Sequence, residues 1–365
     1  MADVLAAVQT GPRAIELRSF ERPLIGDDEA LVRVEACGIC GTDVERYRGG
    51  EPQRYPVIPG HEPVGVIEEI GPAAARRRGL RVGERVAVDP FIPCGACRHC
   101  LGGMHALCTG WGAPRTYGFR LTSEAPGLWG GYATHLYVDP ASVLYPIPDH
   151  VGPELAALYN PLGAGVSWGV HAAGVTVGST VLILGCGQRG LACAIAARAA
   201  GASLVVVTGL SIDAHKLALA TELGADAAID VERADLAEQA RALTAGAGFD
   251  AVVDTTPGAT GAVLDAVALA RPGGTVVLGG LKGAAVDAFP VDRVALGALT
   301  IRGMRGVGAA AYREAIALIA SGRFALERLQ THRFALADAA RAIEVLAGEH
   351  PGERPLNVLI LPGPS

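Results

Sequence analysis

The sequence predicts an α/β protein of two domains, one of them a doubly wound parallel sheet. Three observations predict it: the chain length, a glycine loop set between a strand and a helix, and the alternation of β-rich and helical runs after that loop. A chain of 365 residues exceeds the size at which one hydrophobic core stops growing, so two domains are expected. Half of the residues are hydrophobic and 19% are charged, a balance that suits a globular protein and excludes a disordered or fibrous one.

The loop lies in "STVLILGCGQRGLACAIAARAAGA". Val181 to Leu184 reads as a buried strand, Gly185, Gly187 and Gly190 supply G-x-G-x-x-G, and an alanine-rich helix runs on toward Gly201. Glycines at this spacing permit a tight turn, close approach of backbone to a pyrophosphate, and close packing of helix on strand. The helix N-terminus, with Gln188 and Arg189 in its first turn, offers unpaired N–H groups to the anion. Dinucleotide binding follows. Beyond the loop, "SLVVVTG", "AAIDV", "FDAVVDTT" and "GGTVVLGG" alternate with "HKLALATELGA", "ADLAEQARALTAG" and "TGAVLDAVALAR", the pattern of a doubly wound sheet. Ligands of such sheets lie at the carboxyl ends of strands, which places Thr255 and the turn Leu278-Gly279-Gly280 beside the coenzyme.

An acidic residue that binds the adenosine ribose is expected about 20 residues after the loop. Gly209 stands there. Without a carboxylate to repel a 2′-phosphate, and with Ser211, His215 and Lys216 nearby as donors, the segment tilts toward NADP. Asp213, four residues on, could turn back to the ribose and keeps NAD open.

Upstream, "CGACRHCLGGMHALC" sets Cys94, Cys97, Cys100 and Cys108 at C-x2-C-x2-C-x7-C. One short loop can then wrap four thiolates around a single ion, and zinc fits best. A closed set of four sulfurs leaves no open coordination position, so the metal is structural; an iron–sulfur cluster and a bare thiol cluster are the alternatives. His99 and His105 inside the loop are read as solvated. Further upstream, Cys40 in "EACGICGTDVERYRGG" and His61 in "YPVIPGHEPVGVIEEIG" are two ligands from separate loops, an incomplete set suited to an open, catalytic zinc site.

The order of "GICGTD", "PGHEPVGVI", "VGERVAVDP", the four-cysteine lobe and "VLILGCGQRGL" resembles that of the zinc-dependent medium-chain dehydrogenases, most of all their polyol and threonine dehydrogenase branch. The resemblance covers nearly the whole chain. It implies a GroES-like, β-rich catalytic domain over 1–158, a Rossmann coenzyme domain over 159–299, and a C-terminal segment 300–365 that returns to the catalytic domain. It also implies cytoplasmic homodimers or homotetramers. Carried over residue by residue, Cys40 and His61 become catalytic zinc ligands, Glu62 an alternative or nearby ligand, and Thr42 the hydroxyl that takes the substrate proton. Asp43 braces the ligand loop; Cys37, Cys186 and Cys193 are packing residues.

Three positions depart from the family's pattern. Asn160 stands where the third zinc ligand, an acid or a cysteine, belongs. Glu45 replaces the histidine that often ends the proton relay. Asn357 replaces a basic residue that assists the pyrophosphate, a role left to Arg189, Arg302 or Arg305. The activity implied is alcohol oxidation or ketone reduction with NAD or NADP, on a secondary or aromatic alcohol because aromatic residues fall in segments that border the family's substrate cleft. The competing readings are a zinc-independent NADPH reductase and a nicotinamide-sensing regulatory protein.

A formal net charge of -6 gives no electrostatic footprint for nucleic acid or an anionic membrane. The first twenty residues contain no apolar signal-peptide core, and a cytoplasmic location is expected. The eight cysteines are then thiols or metal ligands. Residues 155–188 carry no Asp, Glu, Lys or Arg, yet Asn160-Pro161, repeated glycines and His171 break the run, which argues against a membrane span.

Overall fold

The computed structural model describes residues 3–50, 54–112 and 115–363, and the chain divides into two compact units. The first comprises Met1–Tyr159, Ile316–Gly322 and Leu326–Ser365, and the second Asn160–Ala315 and Arg323–Ala325.

The first unit is built on a largely antiparallel sheet. Its strands run in the order Gln330–Ala335, Asn357–Leu361, Ala30–Gly38, Glu62–Ile70, Arg85–Val88, Leu144–Pro146, with His135–Val138 also paired to Ala30–Gly38. "ALVRVEACG" shows why it forms. Val32 and Val34 are fully buried while Arg33 and Glu35 between them are partly exposed, the two-residue period of a strand with one apolar face. Glu35 on the other face is held by Arg85, on the next strand but one, at 2.6 Å. Tyr132, Tyr117, Leu136 and Ile67 fill the core against this sheet.

The second unit is a six-stranded parallel sheet with strand order Ala227–Asp230, Leu204–Gly209, Thr180–Leu184, Phe249–Asp254, Ala270–Leu278, Thr300–Gly303. The chain starts in the middle, winds to one edge, and returns to wind to the other, as a doubly wound sheet does. Its strands carry the continuous apolar runs of a sheet covered on both faces: Val205, Val206 and Val207 are all fully buried. The helix after the glycine loop, Gln188–Ala199, packs so closely on its strand that a Cβ at Gly190 would lie 1.9 Å from the Gly185 carbonyl oxygen. Gly190→Ala is therefore expected to push the helix off the loop, at a cost of about 1–3 kcal/mol, and to weaken coenzyme binding at least tenfold. Thermal denaturation and a coenzyme titration check it together.

The second unit extends past the expected return at residue 300. Thr300–Gly303 lies parallel to Ala270–Leu278, Thr300 opposite Thr275, and the return falls at Ile316, inside the helix Ala309–Ala320. A strand of four residues, only one of them a bulky hydrophobe, leaves little periodicity to read. The uncharged run 155–188 folds as the short helices Pro153–Ala156 and Tyr159–Val166, a π-helical turn Ser167–Ala172 and the strand Thr180–Leu184. Among the described residues no helix is long and apolar enough to cross a membrane.

Candidate active site, cysteine lobe and coenzyme loop

Cys40, His61 and Glu62 converge in the first unit, with one ligand atom from each within 4.8 Å of the others. Their positions follow from the sheet. Cys40 caps the helix Gly41–Arg48 just after the strand Ala30–Gly38, and His61-Glu62 open the strand paired with it, Glu62 opposite Gly38. Gly38 is glycine for a reason of space, since a Cβ there would sit 2.5 Å from Glu62 Oε2. Asp43, buried, braces the set through both oxygens. Oδ2 accepts the Cys40 backbone N–H at 2.9 Å, and Oδ1 lies 3.3 Å from His61 Nδ1. An imidazole whose Nδ1 faces a carboxylate would present Nε2 to a metal. Burial opposes a charged His61, but Asp43 and Cys40 outweigh it and raise the imidazole well above its usual pKa. The pocket stabilises positive charge. A borderline nitrogen, a soft sulfur and a carboxylate around such a pocket are a donor set for zinc.

Thr42 Oγ1 lies 3.8 Å from Cys40 Sγ, and Glu45 is exposed on the same helix. The Phe119 ring meets His61 edge-on, centroids 5.5 Å apart, and the Arg46 guanidinium lies over its other side at 3.6 Å. Of the aromatic residues in the cleft-bordering segments, Tyr47 and Trp129 are buried and bonded elsewhere, to Glu344 and to the Glu124 carbonyl.

The four lobe cysteines also converge, all sulfurs within 4.8 Å. Cys97 Sγ is 3.5 Å and Cys94 Sγ 3.9 Å from Cys100 Sγ. Those separations are far too long for disulfides. They match the edges, about 3.8 Å, of a zinc–sulfur tetrahedron with bonds of about 2.3 Å. Backbone N–H groups of Thr109 and Cys100 pull the Cys97 thiol down to about 5, while burial pushes Cys100 up to about 12; crowded thiols of this kind ionise together only around a cation.

His105 is a correction. It is buried, with Nδ1 2.7 Å from Asp89 Oδ2, an oxygen that also accepts Tyr145 OH at 3.0 Å. This cluster ties the lobe to the sheet. Asp89→Ala removes the carboxylate that His105 and Tyr145 share, at about 1–3 kcal/mol for burying His105 without it, and the melting temperature is expected to fall by several degrees.

In the second unit the coenzyme-binding candidates gather at one end of the sheet. Gly185 turns with φ 99° and Gly187 caps the helix. Thr255 donates its hydroxyl to the Leu184 carbonyl at 2.9 Å, and Gly279 and Gly280 both donate N–H to the Asp254 carbonyl. Arg305 is exposed just beyond the last strand, as is Arg302 within it. Asn160 belongs to this unit, where its amide accepts from Arg189 Nη2 and donates to Tyr312 OH, each at 3.1 Å. Arg189 also lies over Trp168 at 5.3 Å. Lys282, partly buried with its ammonium 2.7 Å from Asp254 Oδ2, and Asp230, which receives the Ser211 hydroxyl at 2.7 Å, have no motif to announce them in the sequence.

An antiparallel unit with a Cys-His-Glu cluster able to hold a metal and a four-cysteine lobe, in one chain with a dinucleotide fold, is the make-up of a zinc dehydrogenase. Comparison with known proteins agrees. Residues 26–149 match the alcohol dehydrogenase GroES-like domain and residues 190–321 the zinc-binding dehydrogenase domain. A protein of Mycobacterium tuberculosis named probable alcohol dehydrogenase is 44% identical over 99% of each chain. One of Neosartorya fischeri named probable D-xylulose reductase A is 33% identical over 95% of each. The crystal structure of a zinc-binding dehydrogenase from Sinorhizobium meliloti bound to NADP superposes with a TM-score of 0.85 at 32% identity, over 99% of this chain and 100% of that one. This chain belongs to the zinc-type medium-chain dehydrogenase/reductase family. It is an oxidoreductase that uses zinc and NAD(P).

Proposed function

We propose that the protein interconverts a secondary alcohol and its ketone, with catalytic zinc held by Cys40, His61 and Glu62, structural zinc by the four lobe cysteines, and NAD(P) on the glycine loop. The convergence of Cys40, His61 and Glu62 in one buried cluster carries this reading. Zinc there supplies a Lewis acid that makes a hydroxyl more acidic, and the coenzyme supplies the two-electron acceptor for the carbinol hydride.

The chain's own residues do the rest. Asp43 fixes the His61 ring and the Cys40 backbone. Thr42 takes the hydroxyl proton. Glu45, three residues along the same helix and on the same side of it, passes that proton to solvent. Phe119 walls the site beside His61 with an apolar face for an alkyl or aryl substituent. The likeness to a D-xylulose reductase supports a secondary carbinol within a polyol as well. Asn160 is a structural partner of Arg189 in this reading, and the metal is complete without it. The location is cytoplasmic and the assembly a homodimer or homotetramer. The bare edge strand Thr300–Gly303, with Leu281, Val291 and Leu296 exposed, supports association through the second unit.

The test is turnover by zinc-loaded protein on matched primary and secondary, aliphatic, aromatic and polyol alcohols. Highest kcat/KM on secondary carbinols is expected; preference for primary alcohols would overturn the assignment.

A further inference from the structure

In a parallel sheet of this order the adenosine ribose is met at the carboxyl end of the second strand, here Leu204–Gly209. Gly209 offers no side chain, and none would fit. A Cβ there would stand 2.5 Å from Cys186 Sγ and 3.0 Å from Leu217 Cδ2. Cys186, between the first two loop glycines, fills the space an acidic residue at 209 would need.

The carboxylate that reaches this place comes from further along the chain. Asp213 ends the short 3-10 turn Ser211–Asp213, and its negative charge, after burial, pushes the Cys186 thiol up to about 12. On its other side Asp213 Oδ1 holds Lys216 Nζ at 2.8 Å. Ser211 is committed too. Ser211 Oγ donates to Asp230 Oδ2 at 2.7 Å, and Ser211 N–H to Glu232 Oε2 at 2.8 Å. Asp230 is the residue paired with Gly209 in the neighbouring strand. Arg233 faces Asp230 Oδ2 at 3.4 Å with 78% of its side chain exposed; His215 is partly buried on the helix after Asp213. Three carboxylates thus face two cations around the ribose position, and Ser211 and Lys216 are already engaged by acids.

A ribose 2′-hydroxyl needs one acceptor, which a carboxylate supplies. A 2′-phosphate would have to strip Lys216 from Asp213 and then lie against the bared carboxylate. We propose that Asp213 sets coenzyme choice in this protein, selecting the 2′-hydroxyl of NAD over the 2′-phosphate of NADP by supplying the carboxylate that Gly209 cannot and by holding Lys216. This reverses the tilt toward NADP drawn from the sequence and rests on the dehydrogenase reading above.

The test is binding, independent of turnover: calorimetric titration of the zinc-loaded full-length protein with NADH and with NADPH at one pH and ionic strength. The wild type is expected to bind NADH at least tenfold more tightly. Asp213→Ser should shrink that ratio at least tenfold, mainly by tighter NADPH binding, and adding Lys216→Ala should abolish the gain. Asp213→Asn keeps the shape and removes the charge, so it reports the same shift should the serine variant fold poorly. Equal or tighter NADPH binding by the wild type, or a ratio unmoved by both Asp213 variants, overturns the proposal. Binding of neither coenzyme by folded wild-type protein would sink the dehydrogenase reading itself, and the proposal with it.

Discussion

Glu62→Gln is expected to strip the zinc proposed at Cys40, His61 and Glu62. Glu62 is fully buried beside Cys40 and His61, and in the proposed site its carboxylate with the Cys40 thiolate would balance the two charges of the ion. An amide leaves one positive charge uncompensated in a buried pocket and is a weaker donor. Zinc affinity and kcat/KM should both fall by roughly 100-fold, the upper range for the loss of groups that support a metal. Asn160→Ala is the paired control. Its amide is spent on Arg189 and Tyr312, so zinc content should hold while coenzyme binding weakens, because Arg189 loses one of the groups that hold it. Zinc loss from Asn160→Ala with retention in Glu62→Gln would exchange the two roles.

Cys97→Ser is expected to cost the protein its lobe and much of its stability. The four sulfurs are mutually within 4.8 Å, and folding around such a site draws on the metal: about 10–16 kcal/mol of binding free energy is typical of structural zinc in small domains. Only part of that is lost here, because Asp89, His105 and Tyr145 still anchor the lobe to the sheet. A loss of about 3–5 kcal/mol corresponds to a melting temperature lower by roughly 10 °C. Surviving folded protein should still bind coenzyme, since the glycine loop belongs to the other unit. Unchanged metal content and unchanged melting would remove the structural zinc from the account.

Much of this was legible in the sequence where chemistry depends on spacing along the chain. The cysteine lobe and the glycine loop are local, so their ligand geometry is written in consecutive residues. Cys40 and His61 were legible as zinc-type ligands and Glu62 through resemblance, and their meeting depends on the pairing of Gly38 with Glu62 across two strands. What stayed hidden is set by contacts between distant segments. His105 reads as a loop residue until Asp89, sixteen positions earlier, is seen beneath it. The engagement of Ser211 by Asp230 spans nineteen residues and two strands. Gly209 reads as a missing carboxylate, whereas the structure shows a position that Cys186 closes to any side chain. Asn160 stands at the family's ligand position in the sequence, and only its bonds to Arg189 and Tyr312 disclose another occupation.

The claim on which the rest depends is that hydride transfer here uses zinc at Cys40, His61 and Glu62. Zinc content and turnover, followed on one sample through a graded chelator titration, test it most directly. The two proposed sites differ in closure: the lobe offers four sulfurs that could enclose an ion, while Cys40, His61 and Glu62 offer three ligand atoms, one short of a closed tetrahedral set. The open site should empty first, and activity should fall in step with that first zinc and return when it is restored. Full activity in protein that retains zinc only in the cysteine lobe would contradict the account and make the enzyme a zinc-independent reductase.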